Sequence, residues 1–190
     1  MKNTMLEMTR YAALARQAVA EGVVLLKNEA VLPLAPGGRA ALFGYAQFHY
    51  YKSGTGSGGL VNVTHVPNLP EILGGDGGYR LDAEVQARYA AWLADHPYEM
   101  GTGWAQEPWF QPEMPLDEEF VRAAAQRADT AFIVIGRTAG EDQDNTNTPG
   151  SFLLTEDEEN MLALVCRYFN KSVVLLNVGN IIIEKLKGNN

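Results

Sequence analysis

Four consecutive apolar residues, Phe132 to Ile135, are followed by a glycine, a carboxylate-rich loop and a helical segment. The apolar run is typical of a buried strand, which we expect to break at Gly136. The loop at 139–145 carries Glu141, Asp142 and Asp144. Ligands of open α/β sheets bind at the carboxyl ends of the strands, so this loop is the first candidate for a functional site.

Helical and strand-like segments alternate along the rest of the chain. Apolar residues recur at helical spacing over 10–21, 69–73, 82–94, 116–127 and 156–168, and further apolar runs predict strands over 40–44 and 172–178. All-apolar strands between helices predict an α/β fold, an open and mostly parallel sheet of the flavodoxin-like three-layer type, with residues 1–190 in a single domain. The last strand is expected at an edge, where pairing with a second copy would make a homodimer.

Composition narrows the classes of partner. The chain has 190 residues, 46% of them hydrophobic, and a formal net charge of -8. Nucleic-acid binding needs clustered Lys and Arg, so we expect no nucleic-acid partner. No run reaches the roughly 18 apolar residues of a membrane span, and the N-terminus lacks the apolar core of a signal peptide, so we expect a cytoplasmic protein. The single cysteine, Cys166, is expected to be a buried small hydrophobe.

The loop after the first predicted strand is rich in glycine. Gly54, Gly56 and Gly59 match the G-x-G-x-x-G pattern of dinucleotide-binding proteins. About nine residues separate Gly44 from this loop, however, and no helix is predicted directly after it, as that fingerprint requires. Two other interpretations stay open: a loop whose N–H groups approach a ligand or a partner domain, and a plain surface loop.

The acidic loop allows more than one interpretation. Its spacing begins like a calcium loop, but Asn147 stands at the sixth position and Leu153 at the twelfth, where Gly and Glu are needed. The histidines have no metal-ligand spacing, so we expect no metal and no other cofactor. Neighbouring carboxylates disfavour ionisation of all of them, which raises the pKa of one carboxyl group. A general acid requires such a raised pKa, and Glu141 is the candidate for this role. A solvated acidic loop is the alternative.

Four motifs in order resemble one known family. They are the segments 18–29 with 32–34, 52–59, 136–142 with 152–159, and 177–179. Each resembles a part of the α/β sandwich domain of glycoside hydrolase family 3. The resemblance covers roughly residues 16–183 and implies a partial version of the family's six-stranded sandwich.

The resemblance implies a role for each of these loops. A separate (β/α)8 barrel domain would supply an Asp nucleophile, and Glu141 would be the acid/base of a retaining hydrolase of β-linked glucosides or oligosaccharides. The residues implied in substrate binding are Lys52, Ser53, Gly54, Gly56, Ser57 and Asp142. The sandwich-first order resembles a domain-swapped branch of the family, and without a barrel we expect a truncated piece that is inactive alone.

A second interpretation needs no catalysis. The chain would be a stand-alone carbohydrate-binding or assembly module that uses the glycine-rich loop and the segment 98–115. That segment has no clear period and carries Trp104 and Trp109, whose aromatic faces suit stacking on sugars.

Overall fold

The computed structural model of the protein describes residues 8–59, 62–141 and 143–179. Contacts divide the chain into two compact units, Met1–Pro33 and Leu34–Asn190. The first unit contains helix α1, Met8–Gly22, which confirms the helix predicted over 10–21. None of the helices within these described ranges is long and apolar enough to cross a membrane.

The second unit is built on a sheet of four strands in the order β2-β1-β3-β4, and all three pairings are parallel. Its elements are β1 (Gly38–Phe43), α2 (Leu69–Gly74), β2 (Tyr79–Leu81), α3 (Ala83–Asp95), α4 (Glu118–Arg127), β3 (Thr130–Arg137), α5 (Glu156–Tyr168) and β4 (Ser172–Val178). The predicted α/β class with a parallel sheet is confirmed.

Side-chain caps define where the helices begin. Asp82 accepts a hydrogen bond from the backbone N–H of Val85 at the start of α3, and Asp117 does the same for Phe120 in α4. Thr155 forms a reciprocal capping box with Glu158 at the start of α5. Each cap satisfies backbone donors that have no partner within the helix. These boundaries therefore follow from the local sequence.

The two faces of the sheet are covered differently. On one face, Ala41, Phe43, Ile133 and Ile135 pack against α3, α4 and α5, and this cluster holds most of the buried side chains. On the other face, a smaller cluster forms around Ala40, Leu42 and Phe132, with Leu69 and Leu73 of α2 packed against it. Because both faces of the central strands are covered, β1 and β3 are apolar without alternation.

Three details differ from the expectations. The predicted break at Gly136 is wrong, because β3 continues through Gly136 and Arg137, which pair with Asn177 and Val178 of β4. Strand β2 was not predicted, because its three residues are too few to show a periodic pattern. The predicted burial of Cys166 is also wrong, since the thiol side chain is exposed. Successive helical residues differ by about 100° in direction, so the residue after buried Val165 turns outward.

The strand order reverses its direction between β1 and β3. The chain leaves β1 toward β2 on one side and leaves β3 toward β4 on the other. In open α/β sheets, the crevice that binds ligands lies outside the carboxyl ends of the strands at such a reversal. The glycine-rich loop follows β1 and the acidic loop follows β3, so both meet at this point. Strand β4 lies at an edge of the described sheet, and its pairing with a second copy stays a prediction.

Candidate active site

Glu141 is held by the glycine-rich loop. The backbone N–H of Ser57 donates a hydrogen bond of 2.6 Å to Glu141 Oε2. Behind this contact, the N–H of Thr55 donates to the carbonyl oxygen of Ala139 at 3.0 Å, and Thr55 forms a parallel bridge with Gly140. The two loops thus continue the pairing of β1 and β3 past the sheet, and they aim a carboxylate at the N–H of the short 3₁₀ turn Gly56–Gly59.

Two glycines make this approach possible. A Cβ on Gly54 would lie 2.3 Å from the carbonyl oxygen of Ala139, and a Cβ on Gly56 would lie 2.6 Å from Glu141 Oε2. Gly56 also has a φ of +70°, which favours glycine. The glycines therefore let two backbones and one carboxylate come into close contact. The sequence left open a loop whose N–H groups approach a ligand or a partner domain, and here one such N–H group contacts Glu141 of the same chain.

The local electrostatics favour the carboxylate form of Glu141. Hydrogen bonding to Ser57, first through its side chain and then through its backbone N–H, lowers the pKa of Glu141 below its ordinary value. The expectation that crowding would raise the pKa is therefore wrong for Glu141 in this chain. Asp144 is exposed to solvent, where water screens its charge. Asp142, the other acidic neighbour, lies outside the described residues.

A third segment completes the walls of the crevice. This segment, 98–115, connects α3 to α4 and has neither helix nor strand. The N–H of Thr138 donates to the carbonyl oxygen of Trp109 at 2.8 Å, and the side chain of Gln143 donates to the carbonyl oxygen of Ala105. The predicted long irregular segment is thus confirmed, and it contacts the acidic loop directly.

The same segment reaches the glycine-rich loop. Glu107 Oε1 lies 3.4 Å from the position that a Cβ on Gly59 would take. Three buried polar atoms at these walls have no hydrogen-bond partner within the described parts of the chain: Thr55 Oγ1, Glu107 Oε2 and Trp109 Nε1. Buried polar groups are normally hydrogen-bonded, and these three atoms are exceptions among the described residues.

A buried ion pair supports the base of the acidic loop. Arg137, at the end of β3, contacts Glu158 of α5 through two hydrogen bonds of 2.6 and 2.5 Å, and both side chains are buried. The guanidinium also donates to the carbonyl oxygens of Ser151 and Leu153, which hold the far end of the loop. A planar guanidinium can serve a carboxylate and several carbonyls at once.

The end of β4 anchors the chain ahead of the glycine-rich loop. Asn177 accepts a hydrogen bond of 2.6 Å from the N–H of Tyr51 and donates one of 3.1 Å to the carbonyl oxygen of the same residue. Loops from β1, β3 and β4 therefore meet at one edge of the sheet.

The sequence-predicted substrate residues, apart from Asp142, belong to the glycine-rich loop and differ in exposure. Lys52 and Ser57 are exposed, Ser53 and Gly54 are half-buried, and Gly56 is buried beside Glu141. Asp142 lies outside the described residues. Beside Glu141, an open depression of about 400 Å³ is lined by Ala139, Gly140, Gln143, Asp144, Asn145 and Phe152.

Sequence reasoning missed the buried charges behind the site. Glu113 lies in the core, where its carboxylate accepts hydrogen bonds from the N–H groups of Tyr45 and Met114 and from the hydroxyl of Tyr89. Burial raises the pKa of Glu113 to about 7. For Arg137, the available signal was a charged residue two positions after an apolar run, whereas nothing local distinguishes Glu113 from an exposed glutamate.

Comparison with known proteins identifies the family of the chain. Residues 23–190 match the model of the glycosyl hydrolase family 3 C-terminal domain. The chain belongs to this family. It is 49% identical over 177 residues to a β-glucosidase of Ruminococcus albus, covering 93% of this chain and 19% of that protein. It is 33% identical to β-glucosidase A of Butyrivibrio fibrisolvens, covering 91% of this chain and 23% of that protein.

Solved structures of this family share the fold. The β-glucosidase of Paenibacillus barengoltzii superimposes with a TM-score of 0.86 at 46% identity, covering 96% of this chain and 20% of that one. β-Glucosidase 3B of Thermotoga neapolitana, solved in complex with α-D-glucose, gives a TM-score of 0.79 at 31% identity over 93% of this chain and 25% of that one. This family 3 chain thus spans about a fifth to a quarter of the length of these relatives.

Proposed function

We propose that this family 3 domain supplies the general acid/base, Glu141, of a retaining hydrolase of β-linked glucosides. The observation that carries the proposal is the 2.6 Å hydrogen bond from Ser57 to Glu141, which holds a carboxylate at the crevice between β1 and β3. The β-glucosidase names of the relatives support the substrate class. The nucleophile and part of the sugar site would come from a barrel domain, so the chain alone is expected to be inactive.

The proposed reaction proceeds in two steps. In the first step, protonated Glu141 donates its proton to the glycosidic oxygen while a carboxylate of the barrel attacks the anomeric carbon, which breaks the bond to the leaving group. In the second step, ionised Glu141 takes a proton from water, whose oxygen then displaces the enzyme carboxylate. Retaining enzymes need these two carboxyl groups about 5–5.5 Å apart.

The lowered pKa of Glu141 in this chain suits the second step, in which Glu141 acts as a base. For the first step, a second group must raise this pKa so that Glu141 is protonated. A nearby nucleophile carboxylate would disfavour a second negative charge and raise the pKa of Glu141, so that it starts protonated. Formation of the glycosyl-enzyme neutralises the nucleophile and removes this effect. Hydrogen bonding to Ser57 then favours the carboxylate that acts as the base.

The substrate-binding residues are part of the same proposal. Lys52, Ser53, Gly54, Gly56, Ser57 and Asp142 would contact the sugar or the residues that hold it. Among them, Ser57 has a defined task, since its backbone N–H orients the carboxylate of Glu141 toward the crevice.

A chimera tests the proposal. The whole 190-residue chain replaces the segment that it matches in the Ruminococcus albus β-glucosidase. We expect this chimera to hydrolyse cellobiose and Glu141→Gln to lower kcat/KM by roughly 100-fold or more, as loss of a general acid does. Glu119→Gln, which changes an exposed glutamate of α4, is the matched control. Equal cellobiose hydrolysis by Glu141→Gln and the unmodified chimera would contradict the role of Glu141.

A second candidate function rests on the exposure of Trp104, a residue that is 55% exposed. The chain alone would then bind sugars or assemble with a partner without catalysis. Calorimetry of the 190-residue chain with glucose and with cellobiose separates the two candidates, since this second function requires heat of binding without a barrel. An absence of heat with both sugars would remove the sugar-binding form of this candidate.

A further inference from the structure

Glu141 lies in a tight turn that its neighbours close. Gly140 and Gln143 form an antiparallel bridge, and only two positions separate them in the sequence. Gly140 is also bridged to Thr55 of the glycine-rich loop, so closely that a Cβ on Gly140 would lie 2.3 Å from Thr55 Oγ1. The near side of the turn therefore has its own support, and the far side depends on what holds Gln143.

The side chain of Gln143 fixes the far side of the turn to the segment 98–115. Its amide nitrogen donates a hydrogen bond to the carbonyl oxygen of Ala105. Ala105 is buried and has a φ of +55°, a conformation that is uncommon for a residue with a side chain. A hydrogen bond of 3.3 Å from the N–H of Gln106 to the carbonyl oxygen of Gly103 closes the turn that carries Ala105. The acceptor of the Gln143 bond thus belongs to a hydrogen-bonded turn.

Glu141 is therefore held from two directions. The N–H of Ser57 contacts its carboxylate at 2.6 Å, and the bond from Gln143 to Ala105 holds the backbone of its turn. Glu141 and Ser57 are both exposed, so packing does little to fix the carboxylate. The orientation of the carboxylate then depends on its own hydrogen bond and on the backbone that carries it. A displacement of this backbone would move the carboxylate away from Ser57.

We infer that Gln143 is a positioning residue for Glu141, holding the turn so that the carboxyl group reaches the glycosidic oxygen. This inference rests on the proposed function and deepens it. An amide suits the task because it is a neutral donor, which binds a carbonyl oxygen without bringing a charge near Glu141. Misplacement of a catalytic group by about 1 Å can cost roughly 100-fold in rate, so even a small movement of the turn is measurable.

Hydrogen exchange of the whole 190-residue chain tests the positioning without an activity assay. Gln143→Met keeps the length of the side chain and removes its donor, and we expect the Ser57 amide to exchange at least about fivefold faster in this variant. Gln86→Met is the matched control, because it removes the side-chain amide hydrogen bond from α3 to Gln47 and should leave the Ser57 amide unaffected. Equal exchange at Ser57 in Gln143→Met and the unmodified chain would overturn the inference.

Substrates that differ in their need for an acid provide a second test, in the chimera. For Gln143→Met, we expect kcat/KM for cellobiose, whose leaving sugar needs a proton, to fall about tenfold. For dinitrophenyl β-glucoside, whose phenolate leaves without a proton, kcat/KM should change less than twofold. Gln86→Met should match the unmodified chimera on both substrates. An equal loss on both substrates would mean a general structural role for Gln143 and would overturn the inference, as would unchanged hydrolysis of cellobiose.

Glu141→Gln, measured in parallel, separates failure of this inference from failure of the proposed function. If Glu141→Gln loses cellobiose hydrolysis and Gln143→Met keeps it, only the positioning role is refuted. If Glu141→Gln keeps cellobiose hydrolysis, the proposed function is refuted and the positioning role with it.

Discussion

The backbone N–H of Ser57 and the carboxylate of Glu141 lie 2.6 Å apart although 84 positions separate them in the chain. The contact joins the loops that follow β1 and β3, and it orients the Glu141 carboxylate, to which we assign proton transfer. Its geometry depends on Gly56, which leaves room for the Glu141 side chain.

Gly56→Ala should impair hydrolysis far more than it impairs folding. The added Cβ would lie 2.6 Å from Glu141 Oε2 at a φ of +70°, so the carboxylate must move. In the chimera we expect kcat/KM for cellobiose to fall at least tenfold, because a misplaced catalytic group loses its orientation. Gly58→Ala is the matched control, since a Cβ there meets nothing within 4 Å. Equal activity of the two variants would contradict the importance of this contact.

The Arg137–Glu158 pair should be the most costly ion pair to break. Glu158→Gln leaves the buried guanidinium without its countercharge, and we expect the free energy of unfolding of the chain to fall by about 3–5 kcal/mol. Urea denaturation measures this loss. Asp129→Asn breaks the solvent-exposed pair between Asp129 and Arg39 and should lower the free energy of unfolding far less. Similar losses in the two variants would contradict the structural role of the buried pair.

Stability should fall as the pH rises through neutrality because of Glu113. Its pKa is raised from 4.5 to about 7 in the folded chain, so its contribution is fully present below pH 4.5 and is lost as the pH rises through 7. We expect the free energy of unfolding to drop by about 3 kcal/mol between pH 5 and pH 9.

Glu113→Gln should flatten this pH dependence. The measurement is urea denaturation at several pH values, with Glu119→Gln, at an exposed glutamate of α4, as the control that keeps the slope. A slope that Glu113→Gln leaves unchanged would assign the pH dependence to other groups.

Asn177→Ala should loosen the chain ahead of the glycine-rich loop. The Asn177 side chain makes two hydrogen bonds to the backbone of Tyr51, and these connect the segment before the glycine-rich loop to β4. We expect the opening free energy at the Tyr51 amide to fall by about 1–2 kcal/mol in hydrogen exchange. Asn160→Ala removes a comparable bond to the carbonyl oxygen of Leu116 and should leave the Tyr51 amide unaffected. Equal exchange at Tyr51 in both variants would refute the anchoring role.

The local sequence was sufficient for most of the elements. Apolar runs marked β1, β3 and β4, and helical spacing marked α3, α4 and α5, whose N-termini are capped by Asp82, Asp117 and Thr155. These features depend on residues within one or two turns of each other, which is why pattern and capping rules find them. Strand β2 escaped because three residues carry no periodicity.

The composition of the site was also readable, but its assembly was not. The motifs around Gly54 and Glu141 pointed to two loops that the structure brings into contact, whereas the direction of the pKa shift at Glu141 depended on Ser57, which only folding brings near. In the same way, the burial of Arg137 and Glu113 and the exposure of Cys166 and Trp104 follow from which surfaces pack together. Hydrogen bonds and burial between residues far apart in the chain are properties of the tertiary structure, because side-chain identity specifies what a residue can bind and not what lies beside it.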